Sequence, residues 1–125
     1  MAFVGFGKNQ SNTTQKNCVR LMENAVYMIA AARTAVAPSG GSFKHLNYDM
    51  LAAGVIQHCL KEVGLSNAQV DELIVSNALG AGGNPARHVV LTAGLPKKIA
   101  GLSIDRQCVG GLDALLLGKA LILSG

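Results

Sequence analysis

The sequence predicts an α/β fold with a parallel sheet and helices on its faces. Three observations carry that reading. Short, continuously apolar runs alternate with longer segments of helical periodicity, as in parallel strands joined by helical crossovers. Gly, Pro and Asn stand at the junctions between them. The composition, 50% hydrophobic and 14% charged with 15 glycines in 125 residues, suits a chain whose elements are mostly interior.

The elements follow in the order β, α, β, α, β, α. Ala25–Ala32 (AVYMIAAA) reads as a fully buried strand, because it is apolar throughout and includes Val, Tyr and Ile. Pro38–Ser42 reads as a flexible loop. Asn47 is placed to cap a helix over about Tyr48–Val63, with Asp49 in its first turn and Met50, Ala53, Ile56, Leu60 and Val63 at helical spacing. Gly64 sits where a left-handed C-terminal residue is expected.

Ser66-Asn67 restart the chain, and Leu73–Ser76 reads as a second short buried strand. After the glycine-rich loop Gly80–Gly83, Asn84 caps a helix with Pro85 in its first turn, ending at Gly94 before Pro96. Ile99–Ile104 reads as the third strand. From Cys108 the chain enters a last segment that is helical from about Gly111. Such alternation predicts right-handed crossovers. Neither glycine-rich loop has the spacing of a dinucleotide fingerprint or a P-loop, so no nucleotide site is expected.

Composition excludes several classes. High apolar content and low net charge argue against disorder. The glycines have no three-residue period, so the chain is not collagen-like. The formal charge of +4 is uneven: Lys8, Lys16 and Arg20 give residues 1–20 a charge of +3, while the rest holds eight basic and seven acidic side chains. With a nearly neutral body, nucleic acid is not an expected partner. Residues 1–24 read as a flexible N-terminal tail rather than a targeting presequence, and 25–125 as the folded domain.

Cys18, Cys59 and Cys108 are widely spaced and form no Cys/His cluster, so no metal site is expected. Unpaired thiols suit a cytoplasmic setting. No stretch reaches about 18 apolar residues free of charge. The nearest, Leu112–Leu123, is short and contains Asp113 and Lys119, so no membrane span is expected.

Cys108 is the most informative residue. It follows a predicted strand and stands at the mouth of a predicted buried helix, whose N-terminus offers unpaired N–H groups and partial positive charge. Both favour the thiolate. Gly110 and Gly111 allow close backbone approach by a substrate. Such a thiolate can attack an acyl thioester, with local N–H groups receiving the oxyanion. Against that stands a buried inert Cys used as a small hydrophobe.

The neighbouring residues sharpen the choice. Ile104-Asp105-Arg106-Gln107-Cys108-Val109-Gly110-Gly111-Leu112-Asp113-Ala114 resembles the nucleophilic-cysteine segment of the thiolases. Ala30-Ala31-Ala32-Arg33-Thr34 is similar to that family's opening strand and Ala-Arg-Thr signature, and Gly40-Gly41-Ser42-Phe43 to the loop after it. Asn84-Pro85-Ala86-Arg87 and Ala93-Gly94-Leu95-Pro96 resemble the next segments in order. The likeness covers about Ala25–Gly125. It departs at position 110, Gly where the family commonly has Ser, and at 109, Val where Gly or Ala is common.

The resemblance implies a layered parallel-sheet thiolase-like fold, this chain being the first part of its N-terminal half. It implies Cys108 as the nucleophile that takes an acyl group from acyl-coenzyme A, its backbone N–H being one oxyanion donor. Claisen condensation with a second acyl-CoA follows, or in reverse thiolytic cleavage of a 3-ketoacyl-CoA. The coenzyme A thioester enters as substrate, and no bound cofactor is implied. The activating histidine and second cysteine of the family have no counterpart here. His45, His58 and His88 stand in unrelated contexts and read as surface or packing residues, as does Cys59. Arg87 reads as one half of a helix-surface ion pair. The chain alone is therefore expected to be weakly active or inactive. The alternatives are a non-catalytic thiolase-like partner or assembly subunit, and then a 3-ketoacyl synthase-type condensing enzyme. In relatives the strand corresponding to Ile99–Ile104 lies at the dimer contact, and exposed strand edges need a partner. A homo-oligomer, dimer or tetramer, or completion by another chain is expected.

Overall fold

The structure, a computed structural model, describes residues 25–125. The tail and Cys18 lie outside the described residues. The elements are helix α1 (Tyr48–Glu62), strand β1 (Glu72–Ser76), helix α2 (Pro85–Thr92), strand β2 (Ala100–Ile104) and helix α3 (Gly110–Ser124). Short 3-10 turns at Asn67–Gln69 and Gln107–Val109 precede β1 and α3.

β1 and β2 pair in parallel, with Leu73 opposite Gly101, Ile74 opposite Leu102 and Ser76 opposite Ile104. A parallel pair needs a crossover, and α2 supplies it. The α/β class and the parallel sheet are those the sequence predicts. The first strand is not. Ala25–Ala32 is extended chain without strand pairing, and its Tyr27, Met28 and Ile29 are exposed. The run has strand composition, but a strand exists only where a neighbour accepts its N–H groups, and the described sheet holds β1 and β2 alone.

The core lies between α1, α2 and one face of the sheet. Ile56 and Leu60 of α1, Leu73 of β1, Val89 and Val90 of α2, and Ile99 form one buried cluster. Strand alternation sends Leu73 and Val75 into it and turns Ile74 and Ser76 to the other face. There α3 packs along β1. The buried residues of α3 are Gly110 and Ala114, four apart and hence on one side. Leu112, Leu116, Leu121 and Leu123 are exposed, so the expected buried helix is covered on one side only. Counted with its preceding turn, Gln107–Ser124 reaches 18 residues and is apolar enough to cross a membrane by length and composition; the sequence reading counted only Leu112–Leu123 and made it too short.

Local signals place the helix ends. Gly64 and Gly94 both take positive φ, 68° and 67°, and the residues after them donate back to Leu60 and Val90. Asn84 caps α2, its side chain accepting from the Arg87 N–H at 3.1 Å. Asn47 begins α1 without a side-chain cap bond. Instead Asp49 ties the helix start to α2: its Oδ2 accepts from the Thr92 hydroxyl at 2.7 Å.

That hydroxyl holds the Asp49 carboxyl below its ordinary value of 3.8, burial opposing and His88 assisting. A lowered folded value means that the contribution is present above the ordinary value and is lost as pH falls through the lowered one. Thermal midpoints at about pH 6 and about pH 3 should therefore differ less in Thr92→Val than in the parent chain. An equal acid dependence in both would show that this bond does not set it.

Candidate functional site

Cys108 lies in the Gln107–Val109 turn between the C-terminal end of β2 and the start of α3, and its thiol is free and exposed. The turn is held locally. Gln107 has φ 48°, in the left-handed region rarely taken by side-chain-bearing residues, and its N–H donates to Asp105 Oδ1 at 3.2 Å. The Val109 N–H donates to the Arg106 carbonyl at 3.1 Å. The Arg106 guanidinium meets Asp113 Oδ2 at 3.0 Å, tying the turn to the first turn of α3. Val109, the residue before α3, gives no side-chain cap. The first N–H groups of α3 thus have no side-chain acceptor there, beside an exposed thiol.

The entrance of α2 is fastened to β2 by side chains that the sequence reading left in lesser roles. Asn84 caps the helix, donates to the Gly101 carbonyl at 2.7 Å and accepts from the Ser103 hydroxyl at 2.6 Å. The same Ser103 oxygen accepts from the Ala86 N–H at 2.9 Å. Arg87 forms no surface ion pair of the kind expected; it donates to the Ile99 carbonyl at 2.7 Å. The reason is position. The α2 entrance sits directly on β2, which brings the carbonyl of Ile99, just before the strand, within reach of the guanidinium.

The histidines lie as expected. His58 pairs with Glu62 one turn on, at 3.8 Å on an exposed face. His88 bonds the Tyr48 hydroxyl at 2.9 Å and approaches Asp49 at 3.9 Å. His45 is exposed before α1. None of the bonds of His58 or His88 involves Cys108. Cys59 is buried in α1, and that burial pushes its thiol up. Among the described residues no group of three His, Cys, Asp or Glu is placed to hold a metal ion. An open depression of about 320 Å³ lies between α1 and the extended segment, lined by Arg33, Thr34, Phe43 and His58 among others, and does not include Cys108.

Two close approaches have no counterpart in the sequence reading, one beside the Cys108 turn and one at the start of β2. Ser76, at the end of β1, reaches Gly110. Gly101 takes the backbone of α2 against its α-carbon. Both positions depend on non-local approach, and the only signal for either was a small residue.

Comparison with known proteins bears on this arrangement. The protein named acetyl-CoA C-acetyltransferase VraB from Staphylococcus aureus strain COL is 36% identical over 102 residues, 82% of this chain and 27% of its own length. An acetyl-CoA acyltransferase of strain NCTC 8325 is likewise 36% identical over 102 residues, 80% of this chain and 26% of its own. Both names are provisional ones. The chain spans about a quarter of the length of these relatives. A crystal structure of the Bacillus anthracis acetyl-CoA acetyltransferase superposes with a TM-score of 0.63 at 33% identity, over 68% of this chain and 22% of that one. The family model described as the thiolase N-terminal domain matches residues 26–125, taking in every element above and Cys108, and on that match the chain belongs to the thiolase family.

Proposed function

We propose that this chain carries the acyl-accepting cysteine of a thiolase-type acyltransferase. The observation that carries the reading is the exposed Cys108 thiol at the β2–α3 turn, beside helix N–H groups without a side-chain cap, inside the region matched to the family. In the proposed step the Cys108 thiolate attacks the carbonyl carbon of an acyl-CoA thioester. The carbonyl oxygen becomes an oxyanion, stabilised by the Cys108 N–H. That oxyanion has the Cys108 N–H as its donor, since the N–H groups of Gln107, Val109 and Gly110 are already bonded to Asp105, Arg106 and Gln107. It collapses, the bond from carbon to the coenzyme A sulfur breaks, and coenzyme A leaves as a thiolate that takes up a proton. The acyl group remains on Cys108 Sγ. Condensation with a second acyl-CoA, or the reverse cleavage of a 3-ketoacyl-CoA by free coenzyme A, needs a proton-transfer partner. His58 meets Glu62 and His88 bonds Tyr48, so the step proposed for the described residues is the acylation.

A second reading is a non-catalytic thiolase-like partner subunit, favoured by Gly110 standing where the family commonly has Ser. Incubation with acetyl-CoA followed by intact-mass measurement separates the two. We expect one acetyl adduct, lost in Cys108→Ser. A folded chain that gains no mass defeats the first reading and leaves the second. The names of the relatives favour acetyltransfer over fatty-acid-type condensation. The unpaired edge of β2 and the exposed apolar face of α3 support assembly into a dimer or completion by another chain. Light scattering on the same sample reads this out, a monomer contradicting it.

A further inference from the structure

Gly110 is not a glycine of conformational need. Its φ of −55° and ψ of −31° are those of any helical residue. Its reason is space. A Cβ built on Gly110 meets the Ser76 hydroxyl oxygen well inside contact distance and the Ser76 Cβ at 3.1 Å. A Cβ on the adjoining Gly111 would meet nothing within 4 Å. Positions 76 and 110 therefore share the volume of a single side chain.

The topology explains the meeting. Ser76 ends β1 opposite Ile104, which ends β2. From Ile104 the chain passes through Asp105, Arg106 and the Cys108 turn, and α3 then returns along β1. Its first residue, Gly110, lands on the sheet face to which strand alternation turns Ser76. The hydroxyl thus stands beneath the entry of α3, two residues from Cys108 along the helix start.

We infer that Ser76 is a positioning residue for the Cys108 turn, its hydroxyl taking from the strand the place a side chain at 110 would take from the helix. Residues 76 and 110 are then an exchangeable pair in which one bears a side chain and the other none. The functional weight of the pair rests on the reading of Cys108 as acyl acceptor; the coupling itself does not. Ser76 acts through the turn. With it removed, two glycines face each other, and the helix entry that orients the N–H groups around Cys108 loses its support. The charged groups of the turn are Asp105, Arg106 and Asp113, and none changes in the variants below.

The test compares Ser76→Gly, Gly110→Ser, the double Ser76→Gly/Gly110→Ser and the double Ser76→Gly/Gly110→Ala in the full chain. Two readouts are the thermal midpoint and the rate of iodoacetamide alkylation at Cys108 at one fixed pH, followed by peptide mass. We expect Gly110→Ser alone to lower the midpoint by about 5 °C or more through overpacking. We expect Ser76→Gly to slow alkylation of Cys108 about threefold or more, as the backbone around the thiol loses its orientation. Both doubles should recover the midpoint, and only the serine double the rate. Where Gly110→Ser precipitates, recovery of soluble chain in the doubles reads the same coupling. A neutral Gly110→Ser, or doubles no better than the worse single, overturns the pairing. An alanine double that restores the rate fully overturns the role of the hydroxyl. Acetyl-CoA takes no part in either readout, so failure of acyl transfer and failure of the pair are separate results.

Discussion

Gly101→Ala should be the most damaging single-methyl change in the described chain. A Cβ there would lie 2.5 Å from the Arg87 nitrogen, 2.7 Å from the Arg87 Cα and 2.8 Å from the Ala86 carbonyl carbon. All three are backbone atoms, so no side-chain rotation relieves the overlap. α2 would have to lift from β2. In lifting, it would strain the Asn84, Ser103 and Arg87 bonds that fasten it there. Overpacking of this kind costs about 3 kcal/mol. Against a total stability of about 5–15 kcal/mol that is a large fraction. The expected result is a thermal midpoint lowered by more than about 10 °C. An unchanged midpoint would mean that α2 does not sit on β2 as described.

Leu73→Ala should cost a similar amount by the opposite route, a void in place of a clash. Leu73 is fully buried at the centre of the cluster formed by α1, α2 and β1. Its removal takes away contacts from both helices and the strand at once. Large-to-small changes at such sites cost about 2–5 kcal/mol. Urea unfolding should show a lower midpoint with an unchanged slope, since the surface exposed on unfolding stays nearly the same. Leu79→Ala is the control, because Leu79 is 93% exposed and its loss should stay within about 0.5 kcal/mol. Equal effects at 73 and 79 would contradict the placement of the core.

These sites divide by how far along the chain their causes lie. Asn84-Pro85 opening α2, and Gly64 and Gly94 closing α1 and α2, are decided within a few residues, so composition and spacing find them. The existence of β1 and β2 was legible for the same reason. Ala25–Ala32 was not, because its sequence meets the local requirement for a strand while pairing is a property of some other segment. Arg87 misled in a related way. A guanidinium on a helix suggests an acid, and its actual acceptor is a carbonyl brought close by the crossover. The glycines show the limit most clearly. Gly64, Gly101 and Gly110 are one letter in the sequence, yet the first serves a dihedral, the second a neighbouring backbone and the third a neighbouring hydroxyl. Cys108 stands out in the sequence by its motif, and the structure adds the left-handed residue before it and the ion pair behind it.

α3 touches the sheet through Gly110 and Ala114 and turns its leucines outward. Apart from Asp113 and Lys119, that exposed surface is largely leucine, and apolar helix surface is at rest only when covered. Its folding is therefore coupled to mass action: any surface that covers those leucines shifts the folded population upward with its own concentration. With such a surface present, stability would be a property of the solution as much as of the polypeptide.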